Sequence, residues 1–418
     1  MSLGFLAVIG KTHHQQAPPD LAHQLPPGVL SVMMDMLLYS GICSLLLACS
    51  SASPVLRPET SPSTVLRCVT PGALNKNAGF PGRRVTYTSW TVLTGCADAT
   101  LLQLDNGIAK RSIAGASIGG VNFRDPSILQ TEDGRWYAFA TWTIGTGVHI
   151  QAARSADFET WDIVTNEDGT AYDALPDLPA WIYNVAPNTW ASDVVQIADG
   201  TFVMYYSATT ASDARFHCVG AATALNVLGP YTASPEPMFC PLDKGGAIDA
   251  SGFEDAGQRY VVYKVDGNSI GRGGRCGNAH EPFVPTPLIL QPVAADGVTL
   301  RGGATTLLDH VGSSDEGIVE APALMKSGST YFLFFSTGCY MDGRYTLHYA
   351  TSRSITRPFT RAQLPLLQSD PRGLISPGGA DVQADGQHIL FHAASPAGTG
   401  RALYQAKISV SGDVVSIQ

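Results

Sequence analysis

Residues 320–336 read EAPALMKSGSTYFLFFS. An acidic residue, Glu320, leads into a short apolar segment. Ser327-Gly328 then breaks the chain, and an aromatic run follows from Tyr331 to Phe335. Two short apolar runs separated by a small polar turn read as a β-hairpin. The same unit stands at Asp125 (DPSILQTEDGRWYAFAT), Asp193 (DVVQIADGTFVMYYSA), Asp249 (DASGFEDAGQRYVVYK) and Asp381 (DVQADGQHILFHAA). Each copy carries a turn: Asp133-Gly134, Asp199-Gly200, Ala256-Gly257, Ser327-Gly328 or Asp385-Gly386. A third strand follows at Val148–Ala153 and Leu347–Thr351. One such sheet cannot bury both of its faces alone. Packing five sheets around an axis buries them and protects their edges, so the repeat predicts an all-β, five-bladed β-propeller. An open sandwich is the competing arrangement, and the regular recurrence of the unit argues against it. In a propeller the innermost strands line the axis. The five acids are therefore expected at one phase of the repeat, gathered at one mouth of the channel.

Composition agrees with a globular chain. Of 418 residues, 44% are hydrophobic and 15% charged, which excludes disorder as the main state. The net charge of −9 disfavours nucleic acid and anionic membrane surfaces as partners. Neutral partners such as sugars stay open, and a monomer is expected.

The apolar run Met36–Cys49 is too short to span a bilayer as a helix. Small residues follow it, which suits secretory cleavage near Ala52. The chain then divides into a signal region, 1–52, with a start codon set too far upstream, a Ser/Thr/Pro/Gly-rich pro-segment or linker, 53–115, and the propeller, 116–418. Lys110-Arg111 is either a processing site or an exposed basic pair. Beyond the signal six Cys remain: Cys68, Cys96, Cys218, Cys240, Cys276 and Cys339. An even number in an oxidising compartment points to disulfides, and no CxxC spacing suggests zinc. Spacing alone leaves the pairing open; Cys218 with Cys240 and Cys276 with Cys339 are the expected pairs. No Asn-x-Ser/Thr acceptor follows the signal.

Two carboxyl groups facing each other across a sugar can hydrolyse a glycosidic bond, one as acid and one as base. The acid needs a raised pKa, which a second carboxylate or apolar surroundings provide. Phe123, Ile248 and Ile318-Val319 place apolar residues beside Asp125, Asp249 and Glu320. Any one of these Asp residues taken alone reads as a turn or strand-start residue; the repeat makes them a group.

The blocks Phe123-Arg124-Asp125-Pro126-Ser127, Ala247-Ile248-Asp249-Ala250 and Val319-Glu320-Ala321-Pro322 resemble the three signatures of glycoside hydrolase family 43. Thr189–Val194 and Ile289–Gly297 are similar to two further stretches of that family. The resemblance covers about residues 118 to 395. It implies a five-bladed propeller that acts on arabinose- and xylose-containing polysaccharides with inversion. It also implies Asp125 as general base, Glu320 as general acid, and Asp249 as the group that raises the pKa of Glu320 and holds it in place. Trp190, Asp193 and Arg124 are expected to contact substrate, with Trp190 as a sugar platform or a core residue.

The family carries Pro-Gly-His in the fifth blade, where the His lies on the axis and often helps hold a cation or water. Here the match is Pro377-Gly378-Gly379. No cofactor is therefore expected, a central cation is left open but disfavoured, and His392 is read as a packing or polar-network residue, as are His217, His280 and His348. Two other readings stay open. One is a sugar-binding propeller without catalysis. The other is a retaining enzyme of the invertase type, disfavoured because Arg124 stands where those enzymes have Asn. The pentose polymer and exo or endo action are undetermined; the Gly-rich segment 267–280, with Arg272 and Arg275, is expected to shape the rim.

Overall fold

The computed structural model describes residues 113, 115–142, 147–398 and 400–418. The apolar run Met36–Cys49, the cleavage expected near Ala52, Lys110-Arg111, Cys68 and Cys96 lie outside the described residues. Among the described residues no helix is long and apolar enough to cross a membrane.

Five four-stranded antiparallel sheets follow one another along the chain, each in simple sequential order. Blade 1 comprises Leu129–Gln130, Trp136–Ala140, Gln151–Ser155 and Trp161–Ile163. Blade 2 comprises Trp190–Gln196, Phe202–Thr209, His217–Ala224 and Thr232–Ala233. Blade 3 comprises Ala247–Asp255, Gln258–Val265, Leu288–Val293 and Thr305–Leu308. Blade 4 comprises Val319–Ser327, Thr330–Thr337, Thr346–Ser352 and Thr360–Arg361. Blade 5 comprises Gly378–Val382, His388–Ala394, Arg401–Ser411 and Val414–Ile417. The chain is a five-bladed β-propeller. Each first hairpin turns at a glycine with positive φ: Gly134, Gly200, Gly257, Gly328 and Gly386. A side chain would strain that backbone, which is why the turn positions were legible.

The apolar second strands explain how the blades pack. Phe202–Thr209 and Thr330–Thr337 are buried along their whole length, as strands covered on both faces must be. Five hydrophobic clusters result, one between each pair of neighbouring blades. Phe332 and Phe334 of blade 4 meet Phe391 and Tyr404 of blade 5. Leu390 and Leu403 of blade 5 meet Trp136 and Ala138 of blade 1, which closes the ring. The segment ahead of blade 1 adds to that closure: Phe123 N–H donates to Arg401 O (2.9 Å) and Ser117 N–H to Leu403 O (2.8 Å).

The axis departs from regular pleating in a repeated way. Asp125, Ala191, Asp249, Ala321 and Gly379 have φ of 52°, 43°, 56°, 51° and 55°. In blades 2, 4 and 5 the ladder skips a register there, between Trp190 and Asp193, Glu320 and Ala323, and Gly378 and Asp381. In blade 3 the shift falls opposite Asp249, between Val262 and Lys264. These are β-bulges, which re-aim side chains and cluster at functional sites. Holding Asp125 and Asp249 in this region costs on the order of 1–3 kcal/mol each.

The bulge corrects the expectation of a single acidic ring. Aligned on the positive-φ residue, Asp125 and Asp249 are that residue themselves. Glu320 stands one residue before it, and Asp193 and Asp381 two residues after it. The acids therefore occupy three levels along the axis. The repeat locates the strand, but one inserted residue changes which level a side chain reaches.

Candidate active site

Two cavities lie on the axis and share Asp125 and Asp249. The upper one encloses about 520 Å³, within the usual range for small-molecule sites. Arg124, Trp190, Lys264, Glu320, Tyr345 and Arg401 are among its walls. The lower one is narrow and is lined by the bulge residues and the two that follow them in every blade, Asp193 and Asp381 included.

The structure thus brings Asp125, Asp249, Glu320, Trp190 and Arg124 to one cavity and places Asp193 beneath it. Asp193 Oδ2 accepts the Gly252 N–H (2.7 Å), tying blade 2 to blade 3. Asp381 Oδ2 accepts the Ile128 N–H (2.8 Å), tying blade 5 to blade 1. Burial pushes both carboxyls up, and the charge of Asp193 adds to the rise at Asp381. Asp193 braces blades in this structure, and it lies off the wall where a contact with substrate was expected.

Asp125 is held by three side chains. Arg401 Nη1 donates to its Oδ1 at 2.9 Å. His392 Nδ1 lies 3.2 Å from the same oxygen and 3.1 Å from the Asp125 N–H. Thr141 Oγ1 donates to Oδ2 at 2.6 Å and itself accepts the Ala191 N–H at 2.9 Å, so its hydroxyl hydrogen is committed to Asp125. Arg401 Nη1 also lies 3.0 Å from His392 Nε2. Burial first, then the charge of Arg401, hold His392 down at about 4, so the ring is neutral at ordinary pH. The Asp125 N–H donates to Nδ1, which also lies at ion-pair distance from Oδ1, and Nε2 faces Arg401. Burial alone would push the Asp125 carboxyl up. The Arg401 charge and the His392 and Thr141 bonds overcome it and hold Asp125 well below the usual carboxylate range. Arg401 is the side-chain donor to Oδ1 and Thr141 the one to Oδ2, which leaves a lone pair on Oδ2 for a water molecule.

Glu320 is fixed at both oxygens. Tyr345 Oη donates to Oε1 and Lys264 Nζ to Oε2, each at 2.8 Å. Lys264, 1% exposed at its side chain, also reaches Asp266 Oδ1 at 3.0 Å. Asp249 Oδ2 accepts the N–H of Ala321, the residue after Glu320, at 3.0 Å. Burial first, and then the negative charge of Glu320, push the Asp249 carboxyl up against the opposing charge of Lys264. Asp249 thus lies close enough to Glu320 for repulsion and also anchors its strand.

Trp190 is half-buried on the wall, stacked on His217 with ring centroids 3.6 Å apart. Arg124 Nη2 donates to Trp142 O at 3.2 Å. In the segment 267–280, Asn268, Ser269, Arg275, Cys276 and Gly277 reach the cavity. Arg272 does not; it bonds to Glu281 O on the outside.

Both expected disulfides form, Cys218–Cys240 and Cys276–Cys339. The second ties the 267–280 segment to Tyr340 and Met341, where Arg275 Nη1 also donates to Met341 O at 2.9 Å. It spans 63 residues, and closing a loop of that size in the unfolded chain stabilises by about 4 kcal/mol in the chain-entropy account. A Cys276→Ser, Cys339→Ser variant should lose about 2–4 kcal/mol in urea melts. It should also show a raised KM, because two cavity walls come untied. An unchanged melt would contradict this role.

Sequence reasoning missed Lys264, Tyr345, Thr141 and Arg401. Only Lys264 left a trace: it is a lone cation in the apolar run Tyr260–Val265. The others meet their partners only through the closed ring.

Residues 117–413 match the family described as glycosyl hydrolases family 43. The extracellular endo-α-(1→5)-L-arabinanase 2 of Bacillus subtilis strain 168 is 33% identical over 267 residues, which are 58% of this chain and 50% of that protein. An extracellular endo-α-(1→5)-L-arabinanase of Thermotoga petrophila is 26% identical over 261 residues, 56% of this chain and 50% of that one. The chain thus spans about half the length of these two relatives. The crystal structure of a thermostable family-43 glycoside hydrolase superposes with a TM-score of 0.59 at 20% identity, covering 73% of this chain and 96% of that one. The fold is shared with that enzyme, and the sequence match running from the segment before the first blade into the last places this chain in glycosyl hydrolases family 43.

Proposed function

We propose that the chain is a secreted, inverting glycoside hydrolase that cleaves arabinofuranosyl or xylosyl linkages in plant cell-wall polysaccharides such as arabinan and arabinoxylan. The observation that carries this reading is the convergence of two differently held carboxyls, Asp125 and Glu320, on one cavity. Asp125 is kept ionised by Arg401 and has a lone pair open on Oδ2. It takes the proton of a water as that water attacks the anomeric carbon. Glu320 delivers a proton to the leaving oxygen from the other side. Asp249 holds Glu320 in place through the Ala321 N–H. Trp190 and Arg124 line the sugar site. Both relatives are named as extracellular arabinanases, and two disulfides suit an oxidising compartment.

The test is release from nitrophenyl α-L-arabinofuranoside, nitrophenyl β-D-xyloside and linear arabinan, with the first-formed anomer followed by proton NMR before mutarotation. Hydrolysis with inversion is expected. Retention would remove Asp125 as base and favour the invertase-type reading. Binding of these sugars without turnover would favour a non-catalytic propeller.

A further inference from the structure

The family's axial histidine has no counterpart at Gly379, and the structure shows what fills its place. A Cβ built on Gly379 would lie 2.5 Å from His392 Cε1, 2.6 Å from His392 Nδ1 and 3.0 Å from Asp125 Oδ1. Real Cβ contacts are not that short. The ring of His392, fully buried and reaching in from the second strand of blade 5, already occupies the space. Its two nitrogens face Asp125 and Arg401, so neither is free for a metal ion. A positive charge is also already present. Arg401 lies 2.9 Å from Asp125 Oδ1, packs 4.3 Å over the Tyr340 ring, and is 14% exposed at its side chain. The donor set does not fit a cation at this point of the axis.

We propose that Arg401, oriented by His392, is the resident cation beside Asp125 and stands in for a metal ion on the axis, so that this chain works without one. Arg401 is then a positioning residue that acts through Asp125. Arg124, Asp249, Glu320, Tyr345, His392 and Arg401 are among the titratable groups around Asp125, and Lys264 and Tyr340 line the same cavity. Of the cations Arg124, Lys264 and Arg401, only Arg401 bonds to the Asp125 carboxylate. Removing Arg401 leaves Asp125 buried without its main counter-charge, so its pKa rises. A base must be ionised, so activity fails earlier as pH falls and the acidic limb moves to higher pH.

Arg401→Met should move the acidic limb of kcat/KM up by about 1–3 pH units, the range for losing a charge paired to a carboxylate. Arg401→Lys keeps the charge and should restore most of the limb. A residue with only a structural role would lower the rate and leave the limb in place. Metal analysis of the full chain should find no stoichiometric divalent cation, and EDTA or added calcium should leave its melting temperature unchanged. One equivalent of bound divalent metal, a melt lowered by EDTA and restored by calcium, or an unmoved limb in Arg401→Met would each overturn the proposal. The inference about Arg401 rests on Asp125 being the base. If no test sugar is hydrolysed, that function falls, while metal content and the melt still decide whether the axis holds a cation.

Discussion

Glu320→Gln should lower kcat on linear arabinan by about 10²–10⁴-fold, the usual contribution of a general acid. The same variant should lose far less on a nitrophenyl arabinofuranoside, because nitrophenolate departs without protonation. The side chain keeps its size and its Tyr345 and Lys264 neighbours, so the split between substrates reports proton delivery and not collapse of the site. Asp125→Asn should behave differently. It removes the atom that accepts the proton of water, so both substrates should fall by a similar factor of about 10²–10⁴. Steady-state rates for the two variants on the two substrates give four numbers. Equal losses for both leaving groups in Glu320→Gln would remove Glu320 as the acid. An Asp125→Asn variant active on the activated substrate would remove Asp125 as the base.

Lys264→Met should destabilise the fold more than either of these carboxyl-to-amide changes. Lys264 is buried against the carboxylates of Glu320 and Asp266, and Asp249 feels its charge. Methionine fills a similar volume but leaves these acids without their cation, and breaking a buried pair from one side costs about 3–5 kcal/mol. The loss should depend on pH. Asp249 is already pushed up to about 8 with Lys264 in place, and losing that charge pushes it higher, so the variant's folded state keeps an extra proton relative to the parent over a window that opens at about pH 8. Stability then falls as pH rises through that window. Urea melts of the variant and the parent should therefore differ by a similar amount below about pH 8 and by more above it. A deficit under about 1 kcal/mol, or one that does not change with pH, would mean that the lysine is dispensable to the acid cluster.

Arg401 and Lys264 play parallel parts on opposite sides of one cavity. Each is a mostly buried cation beside a carboxyl assigned to catalysis, yet their effects on function differ. Arg401 holds Asp125 ionised, as a base requires. Lys264 offsets the repulsion between Glu320 and Asp249 and also pairs with Asp266. The same cavity thus holds an ionised carboxylate on blade 1 and a crowded acid group on blades 3 and 4. Separate environments for two carboxyls are what acid–base assignments rest on.

Local patterning was enough to read the blades. Hairpin turns at Gly134, Gly200, Gly257, Gly328 and Gly386 obey backbone rules that act over a few residues, and apolar second strands such as Tyr331–Phe335 announce burial on both faces. The blocks around Asp125, Asp249 and Glu320 could likewise be recognised in order along the chain. Tertiary structure alone decided the level at which each acid sits. Asp193 and Glu320 occupy similar places in the linear repeat, yet the bulges at Ala191 and Ala321 put one below the axial site and the other in its wall. A single inserted residue reverses side-chain direction, and no periodicity in composition records it. Tertiary structure also chose the partners. Asp125 meets His392 and Arg401 across separations of 267 and 276 residues, which only closure of the ring brings within hydrogen-bond reach. Such contacts arise where the ends of a circular fold meet, so they follow from packing geometry and leave no local mark in the chain.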